Sequence, residues 1–146
     1  MTALLGGVAM WYLQVYAFYE PVVFQPGQEI LLTTTVGAIP EPVIAEGLSG
    51  IDSESSPIRF RACFTTPLSL AMLTETYVAY DGPEPLIAPD WFDCFDAPAI
   101  GAALEKGEAL AFLSEPEIHP GVDRVVAVFP DGRAFAWHQL NDSLKD

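Results

Sequence analysis

The pattern of apolar and polar positions divides the chain at Tyr19. Residues 1–19 carry no charge, with Thr2 and Gln14 as the clear polar interruptions. As a helix this run would extend roughly 28 Å at 1.5 Å per residue, which matches one crossing of a bilayer. Its aromatic residues crowd into the second half, where Trp11, Tyr12, Tyr16 and Tyr19 would set amphipathic rings at headgroup level. Pro21 then punctuates the helix. The run predicts a single transmembrane anchor over 1–19. A cleaved signal peptide and a buried core helix compete with it. The first has neither a basic start nor a small-x-small cleavage site before the aromatic cluster. The second would need an uncharged stretch of unusual length in a soluble domain. The orientation rule is silent, because no Lys or Arg lies near either end of the run. A missing basic start would follow if Met1 were an internal methionine.

From Glu20 onward the pattern breaks into short elements. Gln28–Thr34 reads as a strand, apolar residues leading into a threonine run. The stretch 37–57, with Pro40, Pro42, Gly47, Gly50 and Pro57, reads as irregular. Ile58–Thr65 alternates cleanly: Ile58, Phe60, Ala62 and Phe64 on one face, Arg59, Arg61, Cys63 and Thr65 on the other. Thr66-Pro67 suggests the start of a short helix. Asp96, followed by Ala97-Pro98, suggests a second helix running to Lys106, stopping at Gly107 and burying Ile100, Ala103 and Leu104. Glu108–Leu113 and Val122–Phe129 read as strands, the latter apolar on both faces and therefore central. Pro130-Asp131-Gly132 should turn the chain into Arg133–Leu140, where Phe135 and Trp137 share a face. The expected fold class is α+β: an N-terminal transmembrane helix, then one domain over 20–146 with a mainly antiparallel sheet of four or five strands and one or two short helices. The 127 residues after Tyr19 suffice for one core and fall short of two ordinary domains.

Charge adds a second division. Six Lys and Arg against twenty Asp and Glu give a net charge of −14, all of it after Tyr19. A surface this acidic has no basic patch for phosphate, so nucleic acid is excluded as the expected partner. Glycine-rich phosphate loops, nucleophile elbows, haem-attachment motifs and H-E-x-x-H are absent from the sequence.

Three sets of residues could carry chemistry. Cys63 and Cys94, thirty-one positions apart, fit neither a zinc finger nor a C-x-x-C redox pair. Outside the cytoplasm the simplest outcome is one disulfide, worth about 3–4 kcal/mol in the chain-entropy picture. Two buried thiols, or a reactive thiol, are the other readings. Arg59 and Arg61 would favour a thiolate at Cys63, whereas Asp93 and Asp96 disfavour one at Cys94. The second set, Glu115, Glu117, His119 and Asp123, reads as a solvated acidic loop, and it comes nearest to a cation-binding or acid/base group. His138 reads as a structural histidine. Cys63, Cys94, His119 and His138 hold the inventory for zinc or copper without its local spacing. Neither a metal, a cofactor nor a catalytic residue is assigned.

The strings YLQVYAFYE, SSPIRFRACFTTPLSLAMLTETY, WFDCFDA and GVDRVVAVFPDGRAFAWHQLN together resemble an uncharacterised family of small single-span membrane proteins of alphaproteobacteria. The resemblance covers most of the chain and implies an N-terminal span preceded by a few more residues, one of them basic. It implies no activity and no catalytic residue. The expectation is a non-enzymatic, single-pass protein of the bacterial inner membrane with its acidic domain in the periplasm. It would meet the lipid bilayer through residues 1–19 and serve as an accessory subunit or assembly factor among other membrane or envelope proteins. The alternative is a periplasmic metal- or thiol-handling factor using Cys63 with His119 or His138.

Overall fold

The computed structural model describes residues 20–22, 30–53 and 56–141. Along the chain lie β1 (Glu20–Pro21), β2 (Leu31–Thr33), β3 (Pro40–Pro42), β4 (Glu46–Asp52), β5 (Arg61–Thr65), α1 (Leu70–Thr76), α2 (Ala97–Lys106), β6 (Leu110–His119), β7 (Val122–Val128) and β8 (Arg133–Leu140). Six strands form one antiparallel sheet in the order β1-β4-β5-β8-β7-β6, and β2 pairs with β3 in a separate ribbon. The expected α+β character holds, with a sheet one strand wider than expected. The predicted anchor and its interfacial residues Trp11, Tyr12, Tyr16 and Tyr19 lie outside the described residues. Among the described residues no helix is long and apolar enough to cross a membrane.

The sheet is covered on both sides. Ala62, Phe64, Val126, Val128, Ala134 and Ala136 point to a first face and pack with Ile30, Leu32, Leu73 and Tyr77 from the ribbon and α1. Ile51, Val125, Ala127, Phe135 and Trp137 point to the second face and pack under Ala88, Phe92, Phe95 and Ile100, from the 88–95 segment and α2. Val125 and Val126 are both fully buried, which explains why β7 reads as apolar throughout. The free side of β6 is covered by the 78–80 segment: Leu113 N–H donates to Val78 O at 2.9 Å and Tyr80 N–H to Ala111 O at 2.9 Å.

The local signals for α2 and for the last hairpin are realised. Asp96 caps α2 by accepting from Ala99 N–H at 3.1 Å, and Gly107 ends it at φ 74. Ile100 and Ala103 are buried and Leu104 is half-buried. Gly132 turns the β7–β8 hairpin at φ 93, and a Cβ there would meet Thr66 O at 2.8 Å. Glycine is therefore required by both conformation and space.

Several expectations need correction. The stretch 37–57, read as irregular, contains β3 and the seven-residue β4. Pairing with β5 overrides the poor strand propensity of EGLSGID, and Gly47 at φ 61 lies in the register shift between Glu46 and Ser49. β5 begins at Arg61 rather than Ile58. β2 is confined to Leu31–Thr33, while residues 28 and 29 of the expected strand are outside the described residues. The first helix starts after Ser69, whose hydroxyl accepts from Met72 N–H. Thr66 instead accepts from Leu68 N–H at 3.3 Å and donates its own N–H to Gly132 O at 2.9 Å, which ties it to the hairpin. Finally, the expected loop after Leu113 is the continuation of β6, bulged at two places, up to a turn at Pro120-Gly121.

Candidate functional site: a groove over the Cys63–Cys94 disulfide

The layer on the second face is fastened to the sheet at three successive points. Gln139 accepts from Glu84 N–H at 2.7 Å and from Trp137 Nε1–H at 2.9 Å, and its amide donates to Gly82 O at 3.1 Å. Arg61, only 3% exposed, donates to the carbonyl oxygens of Ile58, Phe60, Leu86 and Ile87. Its side of the strand was expected to be a polar face; the guanidinium is buried there because four main-chain carbonyls replace its water. Further along, Cys63 of β5 is bonded to Cys94, with Cα atoms 6.3 Å apart, and no described cysteine is free. The disulfide expected from the sequence is present, so the reading of two free thiols does not apply.

Beside the disulfide the surface forms a groove of about 630 Å³. Glu46, Gly47 and Ser49 of β4 make one wall, Trp91, Phe92 and Asp93 make the other, and the floor holds Cys63, Cys94 and Phe135. Arg133 and Thr65 close its end. Trp91 is 38% exposed, an aromatic surface beside a strand edge. β1 pairs with β4 at Ile51 and Asp52, Val22 N–H reaches Gly50 O, and among the described residues Glu46–Ser49 have no outer strand partner. Between residues 81 and 108 the covering layer carries seven acids (Asp81, Glu84, Asp90, Asp93, Asp96, Glu105 and Glu108) against one base, Lys106. The groove thus combines a strand edge that is unpaired among the described residues, an aromatic contact, and two carboxylates, Glu46 and Asp93, against Arg133.

The sequence pointed to other residues, and the fold assigns them local work. Asp123 accepts from Glu117 N–H at 2.9 Å, Tyr80 O–H at 2.8 Å and Asn141 Nδ2–H at 3.1 Å. Glu117, at the left-handed φ of 49, accepts from Gly121 N–H at 2.6 Å and Asn141 Nδ2–H at 2.7 Å. These carboxylates close the bulged end of the β6–β7 hairpin. Glu115 lies 3.7 Å from Arg124. Among the described residues no group of three or more His, Cys, Asp or Glu side chains is arranged to hold a metal ion.

His138 is 1% exposed and stacks on Phe60 with ring centroids 4.7 Å apart. Its Nδ1–H donates to Pro57 O at 2.8 Å and its Nε2 accepts from Arg124 Nε–H at 3.0 Å, so both ring nitrogens are engaged and the ring is neutral. Burial first, and the Arg124 charge second, push its pKa down to about 3. Burial likewise lowers the pKa of Arg124, against the pull of Glu115 and Asp52. His119 is exposed beside this pair, its ring centroid 5.7 Å from that of His138. Strand alternation puts His138, with Ala136, on the first face, whereas Cys63 lies opposite Phe135 on the second. The sheet therefore separates the sulfurs from His138, and the mixed Cys/His set suggested by inventory is not brought together.

Sequence reasoning missed the β4 wall of the groove, whose polar and glycine-rich string gives no strand period. The other wall left a signal in the aromatic string around Cys94 in WFDCF. No curated protein and no solved structure matches the chain. A family model matches residues 30–146, which include both cysteines and every residue that lines the groove, and on that match the chain belongs to the Family of unknown function (DUF6446).

Proposed function

We propose that the protein is a non-enzymatic, membrane-anchored envelope protein that binds an extended, basic segment of a partner protein in the disulfide groove, as an accessory subunit or assembly factor of a membrane complex. The observation that carries this reading is the β4 stretch Glu46–Ser49, which has no outer strand partner among the described residues and lies beside Trp91. An extended peptide can add to such an edge through its main chain while a side chain rests on the aromatic wall. Glu46 and Asp93 against Arg133 in the groove lining, on a chain of net charge −14, favour a basic partner. The disulfide favours an oxidising compartment, the periplasm, and the uncharged run over 1–19 favours an inner-membrane anchor. β1 joins the sheet beside Asp52, and Glu46 lies six residues back along β4, roughly 20 Å away at about 3.3 Å per residue. An anchor preceding Glu20 would therefore hold the groove away from the point where the chain leaves the bilayer.

The test is purification of the full chain in mild detergent, followed by mass spectrometry of the proteins that accompany it. One membrane-protein partner should be retained in stoichiometric amount by the wild type and lost from a Glu46→Lys/Asp93→Lys variant. Retention undiminished by that charge reversal, or recovery of the wild type alone, refutes the reading.

A further inference from the structure

We infer that the Cys63–Cys94 disulfide is a thiol–disulfide exchange site, attacked at the Cys94 sulfur by the thiolate of a protein dithiol. Exposure distinguishes the two residues: Cys94 is exposed, whereas Cys63 is half-buried on β5. Cys94 opens on two depressions, the groove already described and a second of about 430 Å³ along α2, where Lys106 and Arg133 are found. The chain around it is not part of the ladder. Residues 90–94 are turns and a bend, and Phe92 N–H to Pro89 O and Phe95 N–H to Phe92 O are local bonds. An attacking group can thus reach Cys94 without a sheet hydrogen bond being broken.

Charge sets the direction in which the bond breaks. Cys63 shares its strand face with Arg61, while Asp93 and Asp96 flank Cys94; Arg133 borders the groove beside both cysteines, and Lys106 and Glu108 offset each other in the second depression. Negative charge is better held on Cys63, which makes it the better leaving group. The incoming thiolate forms a mixed disulfide with Cys94 Sγ. The Cys63–Cys94 bond breaks, its electron pair leaves on Cys63 Sγ, and this thiolate takes a proton from water. The second thiol of the dithiol, after losing its proton to water, attacks the dithiol's own sulfur in the mixed disulfide. Cys94 leaves as a thiolate and is protonated in turn. Two electrons and two protons have then passed to Cys63 and Cys94, and the dithiol has become a disulfide. The aspartates around Cys94 select a dithiol carried on an electropositive surface. Reduction removes the covalent tie between the Trp91–Cys94 wall and β5, which leaves that wall held by the packing of Phe92 and Phe95, so exchange would loosen the groove. That last consequence rests on the groove being a binding site; the exchange itself does not.

The test uses the oxidised full chain in mild detergent and, as probe, a thioredoxin-type protein whose resolving cysteine is replaced by serine, which stalls the reaction at the mixed disulfide. Peptide mapping should find the adduct on Cys94. Its rate of formation should rise in proportion to the probe and exceed global unfolding, measured separately, by at least about tenfold. The Asp93→Asn/Asp96→Asn variant should have its disulfide reduced several-fold faster by an uncharged small-molecule dithiol, since a repulsion toward the attacking thiolate is removed; an unchanged rate overturns the charge argument. An adduct on Cys63, a rate that levels off at the unfolding rate, or no adduct in the folded protein overturns the inference. None of these outcomes depends on whether a partner peptide binds the groove.

Discussion

Buried His138 makes stability depend on pH in a range where carboxylates contribute little. In the unfolded chain this imidazole is protonated as the pH falls below its ordinary value of 6.5; in the folded protein it remains neutral down to about 3. The unfolded state therefore binds the extra proton, and the stability present above pH 6.5 is progressively lost as the pH falls toward 3. Each unit corresponds to about 1.4 kcal/mol, so about 2 kcal/mol should disappear between pH 6.5 and about pH 5. With His138 1% exposed, little solvent screening reduces this figure. The measurement is urea unfolding of the full chain in mild detergent at several pH values across this range, for the wild type and for His138→Gln. The variant will be less stable at neutral pH, having lost the stacked, doubly hydrogen-bonded ring, but its stability should decline less steeply with acidity. Equal slopes, or an NMR titration of His138 centred near pH 6.5, would refute the reasoning.

Other perturbations probe the rest of the fold. Replacing Cys63 and Cys94 together by serine should lower unfolding stability by about 4 kcal/mol, the chain-entropy value for a separation of 31 residues, read from the urea midpoint under non-reducing conditions. Gly132→Ala places a Cβ 2.8 Å from Thr66 O at φ 93 and should cost about 2–4 kcal/mol, measured in the same way. Arg61→Met leaves the carbonyls of Leu86 and Ile87 without their donor; a loss of about 3 kcal/mol is expected, together with faster proteolysis between residues 86 and 95. Trp91→Ala, at a 38% exposed position, should change stability by less than about 1 kcal/mol while weakening retention of the partner, as judged by co-purification.

Signals confined to a few neighbouring residues were legible in the sequence. Asp96 and Gly107 delimit α2, and Pro130-Asp131-Gly132 turns β7 into β8, because caps and turns are decided within one or two residues of the chain. β4 was not legible. Its strand state comes from pairing with β5, a partner that its own sequence does not reveal, and Gly47 interrupts the period. Arg61 shows a different limit. It is charged by composition yet buried, because the carbonyls of Leu86 and Ile87 satisfy it from a segment distant along the chain, whereas His138 is the structural histidine it was read as. The acidic run from Glu115 to Asp123 looked like a loop because its carboxylates stabilise a hairpin end by bonding to its own backbone and to Asn141. For the groove, the disulfide was suggested by two cysteines and their neighbouring charges, whereas the strand edge that faces Trp91 arises only from the sheet order.

The measurement closest to the central proposal is site-specific photocrosslinking in intact cells. A photoreactive residue is placed at Ser49 on the β4 wall, at Trp91 on the opposite wall, or at Ile39, an exposed position outside the groove. The account predicts that positions 49 and 91 capture the same membrane-complex subunit through a basic, extended stretch of its sequence, that position 39 does not, and that Glu46→Lys/Asp93→Lys abolishes both products. Equal capture from position 39, or crosslinks from the groove that survive the charge reversal, would contradict it.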